Sequence, residues 1–292
     1  MIIGHNKQWQ FLKRSAETGR LSHAYLFSGQ EKLGKKKMAF EWISLLFGND
    51  LKKSGHPDLT LIEPEGKEIK IDQIKGLIRS LYLKPHSAPL KAAIIDKAHS
   101  MNPEAQTSLL KTLEEPRGET VLILIAEEPD RLLPTILSRV QTVKFYPVQG
   151  KEIKSYLAKQ GISEKESENL ISNSFGGPGR MIDFLFDSEK LDKAKERIND
   201  LEKIMKGDLG FRFEYAKELS GGDPKGQKET LDVWISYLRE ALISKVNGGK
   251  SNIQYSILKL KNVLSRIQYV ERLISNTNVN SRLALESLML EI

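Results

Sequence analysis

The sequence contains no cysteine. This absence excludes disulfide bonds, thiolate nucleophiles, cysteine-ligated zinc and iron–sulfur clusters. The sequence also lacks any apolar run of the roughly 18 residues that a membrane-spanning helix requires. Its first twenty residues do not show the order of basic, apolar and small residues that is typical of a signal peptide. We therefore expect a cytoplasmic protein that does not contact a membrane.

The composition is that of a globular protein with a modest positive charge. Of 292 residues, 39% are hydrophobic and 28% are charged, which allows a buried core and excludes collagen-like and disordered classes. Lysine and arginine number 45 against 38 acidic residues, a formal net charge of +7. Basic residues at 35–37, 52–53 and 79 could contact DNA or phosphate, but no aromatic side chain is interleaved for base stacking. Solvated lysine is the simpler interpretation.

The first 147 residues alternate between short apolar runs and segments with helical spacing. The apolar runs predict strands at 24–27, 59–62, 92–95, 121–126 and 140–145. Helical spacing predicts helices at 9–18, 36–47, 71–83 and 103–115, the last capped by Asn102 and Pro103. This alternation is typical of a parallel sheet covered by helices on both faces, so we predict an α/β fold.

The remainder of the chain has few strand signals. Its apolar spacing predicts helices at 151–160, 164–172, 178–186, 189–205, 230–246, 253–275 and 279–290. Glycine-containing breaks fall at 207–210 and 221–224. We predict three domains, at 1–147, 148–206 and 207–292.

The segment from Gly29 to Lys35 matches the P-loop pattern G-x-x-x-x-G-K. It lies between a predicted strand and a predicted helix, as a P-loop requires. Gly29 and Gly34 would let backbone N–H groups surround phosphate oxygens, and Lys35 would reach the outer phosphates. The next position normally carries a serine or threonine that coordinates Mg²⁺, but here it is Lys36. Whether this loop binds a nucleotide therefore stays open.

A second nucleotide-site element follows the third predicted strand. Asp96 ends the strand 92–95 and could hold Mg²⁺ directly or through water. The next residue is Lys97, which cannot act as a general base while it is charged, although a glutamate is expected there in a site that activates water. We find no metal-binding carboxylate set of the kind that polymerase chemistry requires.

Three segments give the sequence a specific resemblance. They read D-K-A-H-S-M at 96–101, S-L-L-K-T-L-E-E-P at 108–116 and R-L-L-P-T-I-L-S-R-V-Q at 131–141. Together with G-G-P-G-R at 176–180, they resemble the AAA+ clamp-loader family. The H-P-D segment at 56–58 and the C-terminal segment from 278 to 288 also resemble one branch of that family, and the match runs from Gly4 to the C-terminus.

The resemblance implies a RecA-like AAA+ P-loop module with a parallel sheet, a small helical lid and an all-α C-terminal collar domain. It also implies an assembly that loads the sliding clamp on primed DNA. The partners would be the other clamp-loader subunits, namely the gamma/tau ATPases and delta, and through them the clamp and DNA. We expect no membrane partner, no tightly bound cofactor and no zinc; ATP with magnesium stays an open possibility.

The resemblance also assigns candidate site residues. Arg139, with Ser138, would point from the surface towards ATP bound by a neighbouring subunit, as an arginine finger acting in trans. The alternative is a surface arginine paired to an acid. Arg180 would contact a nucleotide, if one binds, or brace the lid. Val140 replaces the cysteine that follows the arginine in the family, and this swap should leave Arg139 usable.

The resemblance implies a clamp-loader subunit that serves as a stator, and Lys36 and Lys97 suit a member that does not hydrolyse ATP itself. Lys36 and Lys97 favour this hypothesis over an autonomous AAA+ ATPase. A third hypothesis is a switch that binds ATP without hydrolysing it. We expect no polymerase chemistry and no ATPase activity from the isolated chain.

Overall fold

The computed structural model describes residues 2–48, 55–116, 118–249, 253–277 and 279–292. The chain divides into two compact units. The sheet unit comprises Met1–Ser167 and Gly176–Arg180, and the helical unit comprises Glu168–Phe175 and Met181–Ile292. The division into three domains at residues 147 and 206 stays a prediction.

Five parallel strands form the sheet, in the order β2-β3-β4-β1-β5. The strands are β1 Ala24–Ser28, β2 Leu59–Ile62, β3 Lys91–Ile95, β4 Thr120–Ala126 and β5 Gln141–Lys144. Every residue of β1 and β3 is buried, which explains why each strand carries an uninterrupted apolar run, at 24–27 and 92–95, rather than an alternating pattern. All five strands were predicted from the sequence to within a few residues.

Helices cover both faces of the sheet. Those of the sheet unit are α1 Asn6–Glu17, α2 Lys35–Leu46, α3 Ile71–Leu81, α4 Pro103–Glu114, α5 Pro134–Leu137 and α6 Gly150–Lys159. On one face Trp42 and Phe27 lie in one buried cluster, and on the other face Leu77 and Leu109 lie in a second. The Asn102 side chain accepts a hydrogen bond from the Ala105 N–H at 2.9 Å, so the predicted helix cap is confirmed.

Beyond residue 163, helices are the only regular elements of the described chain. The helices are α7 Glu164–Ser174, α8 Pro178–Phe186, α9 Ser188–Lys206, α10 Leu209–Gly221, α11 Pro224–Val246, α12 Ile257–Asn276 and α13 Ser281–Met289. In the helical unit, α11 packs against α9 and α12, and α10 packs against α13. Trp234 is fully buried in the resulting core, and its indole N–H donates to the Arg197 carbonyl at 2.8 Å.

Three helices of this unit differ from the sequence prediction, and one of them, α12, begins at Ile257, four positions after the predicted start at 253. Helix α10 was not predicted, because Gly207 and Gly210 were interpreted as a break; instead the Asp208 side chain accepts from the Phe211 N–H at 2.8 Å and starts a helix. Helix α11 begins at Pro224, six positions before the predicted start at 230. Asp223 caps it by accepting from the Gly226 N–H at 2.8 Å, so a dipeptide interpreted as a break begins a helix.

None of the helices within the described ranges is long and apolar enough to span a membrane. The described residues also contain no group of three or more histidine and acidic side chains that could hold a metal ion. Lys52 and Lys53, among the basic residues singled out in the sequence, lie outside the described residues.

Candidate functional site

Three neighbouring strands end at the same edge of the sheet and place the candidate residues there. Strand β4 lies between β1 and β3. The residues that directly follow these strands are Gly29 after β1, Asp96 after β3 and Glu127 after β4. Ligands of open parallel sheets bind outside this carboxyl edge, where the strand order reverses. The sheet therefore brings together the P-loop and the carboxylate predicted from the sequence.

The P-loop has a backbone that requires its two glycines. Gly29 has φ +148°, and a Cβ there would lie 2.4 Å from the Phe145 carbonyl oxygen. Gly34 has φ +86° and directly precedes helix α2. Only glycine adopts such conformations readily. The loop therefore has the strand–loop–helix conformation that the motif predicts.

Residues distant in the sequence contact the backbone of the P-loop. The His5 Nε2 atom lies 3.0 Å from the Leu33 carbonyl oxygen, and the Gly179 N–H donates to the Lys32 carbonyl at 2.8 Å. Burial lowers the pKa of His5, which favours the neutral ring. Arg180 directly follows Gly179 and is half-buried. The segment that carries Arg180 therefore contacts the P-loop through its backbone.

The side chain of the P-loop lysine, Lys35, donates hydrogen bonds to carbonyl groups of the P-loop itself. The Lys35 ammonium donates to the Gly29 carbonyl at 2.7 Å and also to the Gln30 carbonyl. Lys35 is buried, and burial lowers its pKa, an effect that the charges of Glu127, Glu31 and Asp96 partly offset. In this arrangement Lys35 satisfies the loop's own carbonyl groups.

Lys36 forms an internal ion-pair cluster at the position expected for magnesium. Its ammonium lies 3.0 Å from the Asp96 Oδ2 atom and 2.6 Å from the Glu63 Oε1 atom. Although partial burial lowers the pKa of Lys36, hydrogen bonds to Glu63 and Asp96 raise it above its ordinary value overall. The cation is therefore fixed in its charged form between two carboxylates.

This cluster does not fit a magnesium–nucleotide complex. Mg²⁺ requires oxygen ligands in an octahedral arrangement, but position 36 provides an ammonium in place of a hydroxyl. That ammonium already neutralises Asp96, whose other oxygen accepts the Lys97 backbone N–H at 3.0 Å. The Asp96 carboxylate thus has protein partners on both oxygens. The chemistry of these residues is that of a self-contained ion pair.

Arg139 lies at the surface of the sheet unit, directly after α5 and Ser138. One Nη atom of its guanidinium lies 2.8 Å from the Glu114 Oε1 atom. The other donates to the Thr135 carbonyl at 2.9 Å and to the Ser138 Oγ atom at 3.1 Å. The side chain is 34% exposed. Arg139 is thus a partly exposed arginine paired to an acid, and its role in trans stays a prediction.

The His-Pro-Asp segment has a structural role. Asp58 is buried and accepts hydrogen bonds from the backbone N–H groups of His86, Ser87 and Ala88. Its carboxylate also lies 2.9 Å from the Lys91 ammonium. The His56 ring packs against Phe47 and its Nδ1 atom accepts the Asp58 N–H. His56 therefore has a packing role beside Asp58.

Sequence reasoning missed three acidic residues of the site. Glu127 directly follows β4, so its position at the sheet edge could have been found by the reasoning that located Asp96. Glu114 lies inside a motif that was recognised, but no role was assigned to it. Glu63 directly follows β2, so the same reasoning could have placed it at this edge of the sheet. Its contact with Lys36 depends on the sheet order alone.

The parallel sheet, the P-loop at its carboxyl edge and the helical C-terminal region define an AAA+ type fold, and the predicted fold class is confirmed. A crystal structure of a DNA polymerase III gamma subunit-related protein from Thermotoga maritima has a TM-score of 0.51, with 22% identity and 97% of each chain covered. A RuvB variant from the same organism also has a TM-score of 0.51, with 18% identity and coverage of 94% of this chain and 85% of that one.

Sequence comparisons identify the family. A protein-family model described as DNA polymerase III, delta subunit matches residues 4–149 of this chain, which is half of its 292 residues. The chain belongs to this family and is a DNA polymerase III subunit of the clamp-loader type. It is 28% identical to DNA polymerase III subunit delta′ of Bacillus subtilis, over 97% of this chain and 94% of that protein.

A second relative is DNA polymerase III subunit delta′ of Pseudomonas aeruginosa, which is 36% identical over 45% of this chain and 46% of that protein. The gamma/tau subunit of Mycoplasma genitalium is 26% identical over 89% of this chain and 48% of that protein. The resemblance to clamp-loader proteins, and within them to delta-prime, is thereby confirmed.

Proposed function

We propose that this chain is a delta-prime-like, non-hydrolysing stator of the DNA polymerase III clamp loader that supplies Arg139 in trans to a neighbouring ATPase subunit. In this role it helps to load the sliding clamp on primed DNA. Its partners are the gamma/tau ATPases and delta, and it reaches the clamp and DNA through the assembled loader. The observation that carries the proposal is the 3.0 Å contact between the Lys36 ammonium and the Asp96 carboxylate.

The nucleotide site supports the absence of hydrolysis. Lys36 neutralises the carboxylate that would hold a metal, Lys35 is bonded to loop carbonyls, and Lys97 stands where a general base is needed. Loss of a positioned base alone typically lowers a rate by about 10²–10⁴. An ATPase with all these changes would be slower still. The multiply hydrogen-bonded loop is better suited to a structural part of an assembly.

The surface position of Arg139 supports a role in trans. A guanidinium placed against the γ-phosphate stabilises charge that develops during phosphoryl transfer, and such arginine fingers contribute about 10³–10⁵ in rate. Arg139 is partly exposed and anchored at its two Nη atoms. It can therefore reach another protein while keeping a defined orientation.

The isolated chain provides the first test. We expect no ATP hydrolysis above background with Mg²⁺ present, in a phosphate-release assay. Turnover of about 1 s⁻¹ or more, an ordinary enzymatic rate, would instead establish an autonomous ATPase. A titration with a fluorescent ATP analogue identifies the third hypothesis, because a switch would bind the analogue without hydrolysing it.

The second test uses a loader reconstituted from its cognate subunits. We expect Arg139→Ala to leave the fold unchanged by circular dichroism and to lower DNA-dependent ATP hydrolysis at the neighbouring site. Arg131→Ala is the matched control, because Arg131 is an exposed arginine of the same segment. Equal activity of the Arg139→Ala and wild-type loaders would refute the role in trans.

A further inference from the structure

The guanidinium of Arg139 is held by partners from two elements. Thr135 and Ser138 belong to the short segment that carries the arginine, and both bond to the same Nη atom. Glu114 is the last residue of α4, and its Oε1 atom lies 2.8 Å from the other Nη atom. Among the described residues, the Nε–H group of Arg139 has no hydrogen-bond partner and remains able to donate to a phosphate oxygen.

Helix α4 is itself tied to the segment that leads to Arg139. The buried Gln106 side chain of α4 donates to the Arg131 carbonyl at 3.2 Å and accepts from the Leu133 N–H at 2.8 Å. Helices α4 and α5 also pack against each other. Glu114 therefore projects from a support that is fixed relative to the base of the arginine.

The pair contributes little to folding, because both side chains are partly exposed. The Arg139 side chain is 34% exposed and the Glu114 side chain is 49% exposed, so solvent screens their attraction. Its effect lies in orientation. A long arginine side chain has many rotamers, and a misplacement of about 1 Å can cost about 100-fold in rate.

We propose that Glu114 is a positioning residue that holds the Arg139 guanidinium ready for the phosphate of the neighbouring subunit. The proposal rests on the proposed function, because it requires Arg139 to act in trans. Glu114 fixes one Nη atom, while Thr135 and Ser138 fix the other. Assembly then requires little reordering of the arginine.

The test compares Glu114→Ala and Glu114→Gln in the reconstituted loader. Glu114→Ala removes the acceptor, and we expect it to lower kcat for DNA-dependent ATP hydrolysis at the neighbouring site about tenfold with little change in KM. Glu114→Gln keeps an acceptor oxygen without the charge and should retain intermediate activity. Glu115→Ala is the matched control, because Glu115 is the adjacent exposed acid and has no described bond to Arg139; it should retain wild-type activity.

A double-mutant cycle separates this proposal from its premise. If Glu114 acts only through Arg139, then Glu114→Ala combined with Arg139→Ala should be as active as Arg139→Ala alone. A further loss in the double mutant would overturn the proposal. Wild-type activity of Glu114→Ala would also overturn the proposal. Increased activity would overturn it too, because it would mean that Glu114 restrains the arginine. If Arg139→Ala itself has no effect, the proposed function fails, and the positioning role fails with it.

Discussion

At the scale of single residues, the identity of position 36 decides the chemistry of the sheet edge. A serine or threonine there would offer a neutral oxygen ligand, whereas Lys36 brings a permanent positive charge. That charge pairs with Asp96 at 3.0 Å and Glu63 at 2.6 Å. The two carboxylates that could attract a divalent cation are thus paired with an ammonium from within the chain. Arg139 is the second residue whose identity matters at this scale, since its guanidinium lies partly exposed at the surface.

Replacing Lys36 should make nucleotide binding sensitive to magnesium. In Lys36→Thr the ammonium is gone, Asp96 loses its partner, and a hydroxyl stands at the start of α2. We expect the variant to bind a fluorescent ATP analogue more tightly with Mg²⁺ than without it, while wild type shows no such difference. Equilibrium titrations measure both affinities. Lys37→Thr removes an exposed neighbouring lysine and should behave as wild type. If the affinity of Lys36→Thr for the analogue did not depend on Mg²⁺, the role assigned to Lys36 would be contradicted.

At the scale of elements, local hydrogen bonds determine where helices and loops begin. The carboxylates of Asp208 and Asp223 start α10 and α11 by capping them. Asp58 anchors the loop before β3 by accepting three backbone N–H groups and by pairing with Lys91. Burial alone would raise the pKa of Asp58, but these donors lower it far below its ordinary value of 3.8. The folded state therefore favours the ionised carboxylate.

Asp58→Asn should destabilise the sheet unit at neutral pH. The variant leaves the buried Lys91 unpaired, and losing one partner of a buried pair costs about 3–5 kcal/mol. Because folding lowers the pKa of Asp58, its stabilisation is complete above the unfolded-state pKa and is lost as the pH falls below about 4 towards the folded-state pKa. Urea unfolding at pH 7 and at lower pH should show the difference from wild type shrinking with acidity.

A control is available for this pH dependence. Asp130 is exposed, so Asp130→Asn should change the free energy of unfolding by less than about 0.5 kcal/mol. A difference between Asp58→Asn and wild type that stays constant from pH 7 to pH 3 would show that the charge of Asp58 is not the cause.

At the scale of the whole molecule, each compact unit has a core of its own. The sheet unit buries apolar side chains on both faces of its sheet, including Trp42. The helical unit buries Trp234 and Leu238 among α9 to α13. The three tryptophans of the chain are thus divided between the units, with Trp9 and Trp42 in one and Trp234 in the other.

This division allows each core to be followed separately. Leu238→Ala should lower the stability of the helical unit by about 2–5 kcal/mol, because it leaves a cavity in a closely packed core. We expect a lower urea midpoint when fluorescence is recorded from Trp234 in a background lacking Trp9 and Trp42. The midpoint recorded from Trp42 alone should stay unchanged. Equal shifts of both midpoints would contradict independent unfolding of the two cores.

Much of the fold could be predicted from the sequence, because its signals are local. Buried parallel strands carry uninterrupted apolar runs, so β1, β3 and β4 stand out between polar segments. Asn102 with Pro103 predicts the start of α4 because capping involves only neighbouring residues. The prediction was wrong at α10, because two glycines indicated a break although the aspartate between them caps a helix. Aspartate followed by proline at 223–224 likewise indicated a break but begins a helix.

The sequence by itself determined the P-loop, the lysines that replace its catalytic partners and the arginine that follows Ser138, since each is a matter of residue type and spacing. Only the tertiary structure decided what these charges contact. The pairing of Lys36 with Glu63 and of Arg139 with Glu114 joins residues 27 and 25 positions apart. The physical reason is that such pairs form where separate elements meet, and the packing of the whole chain sets those meeting points.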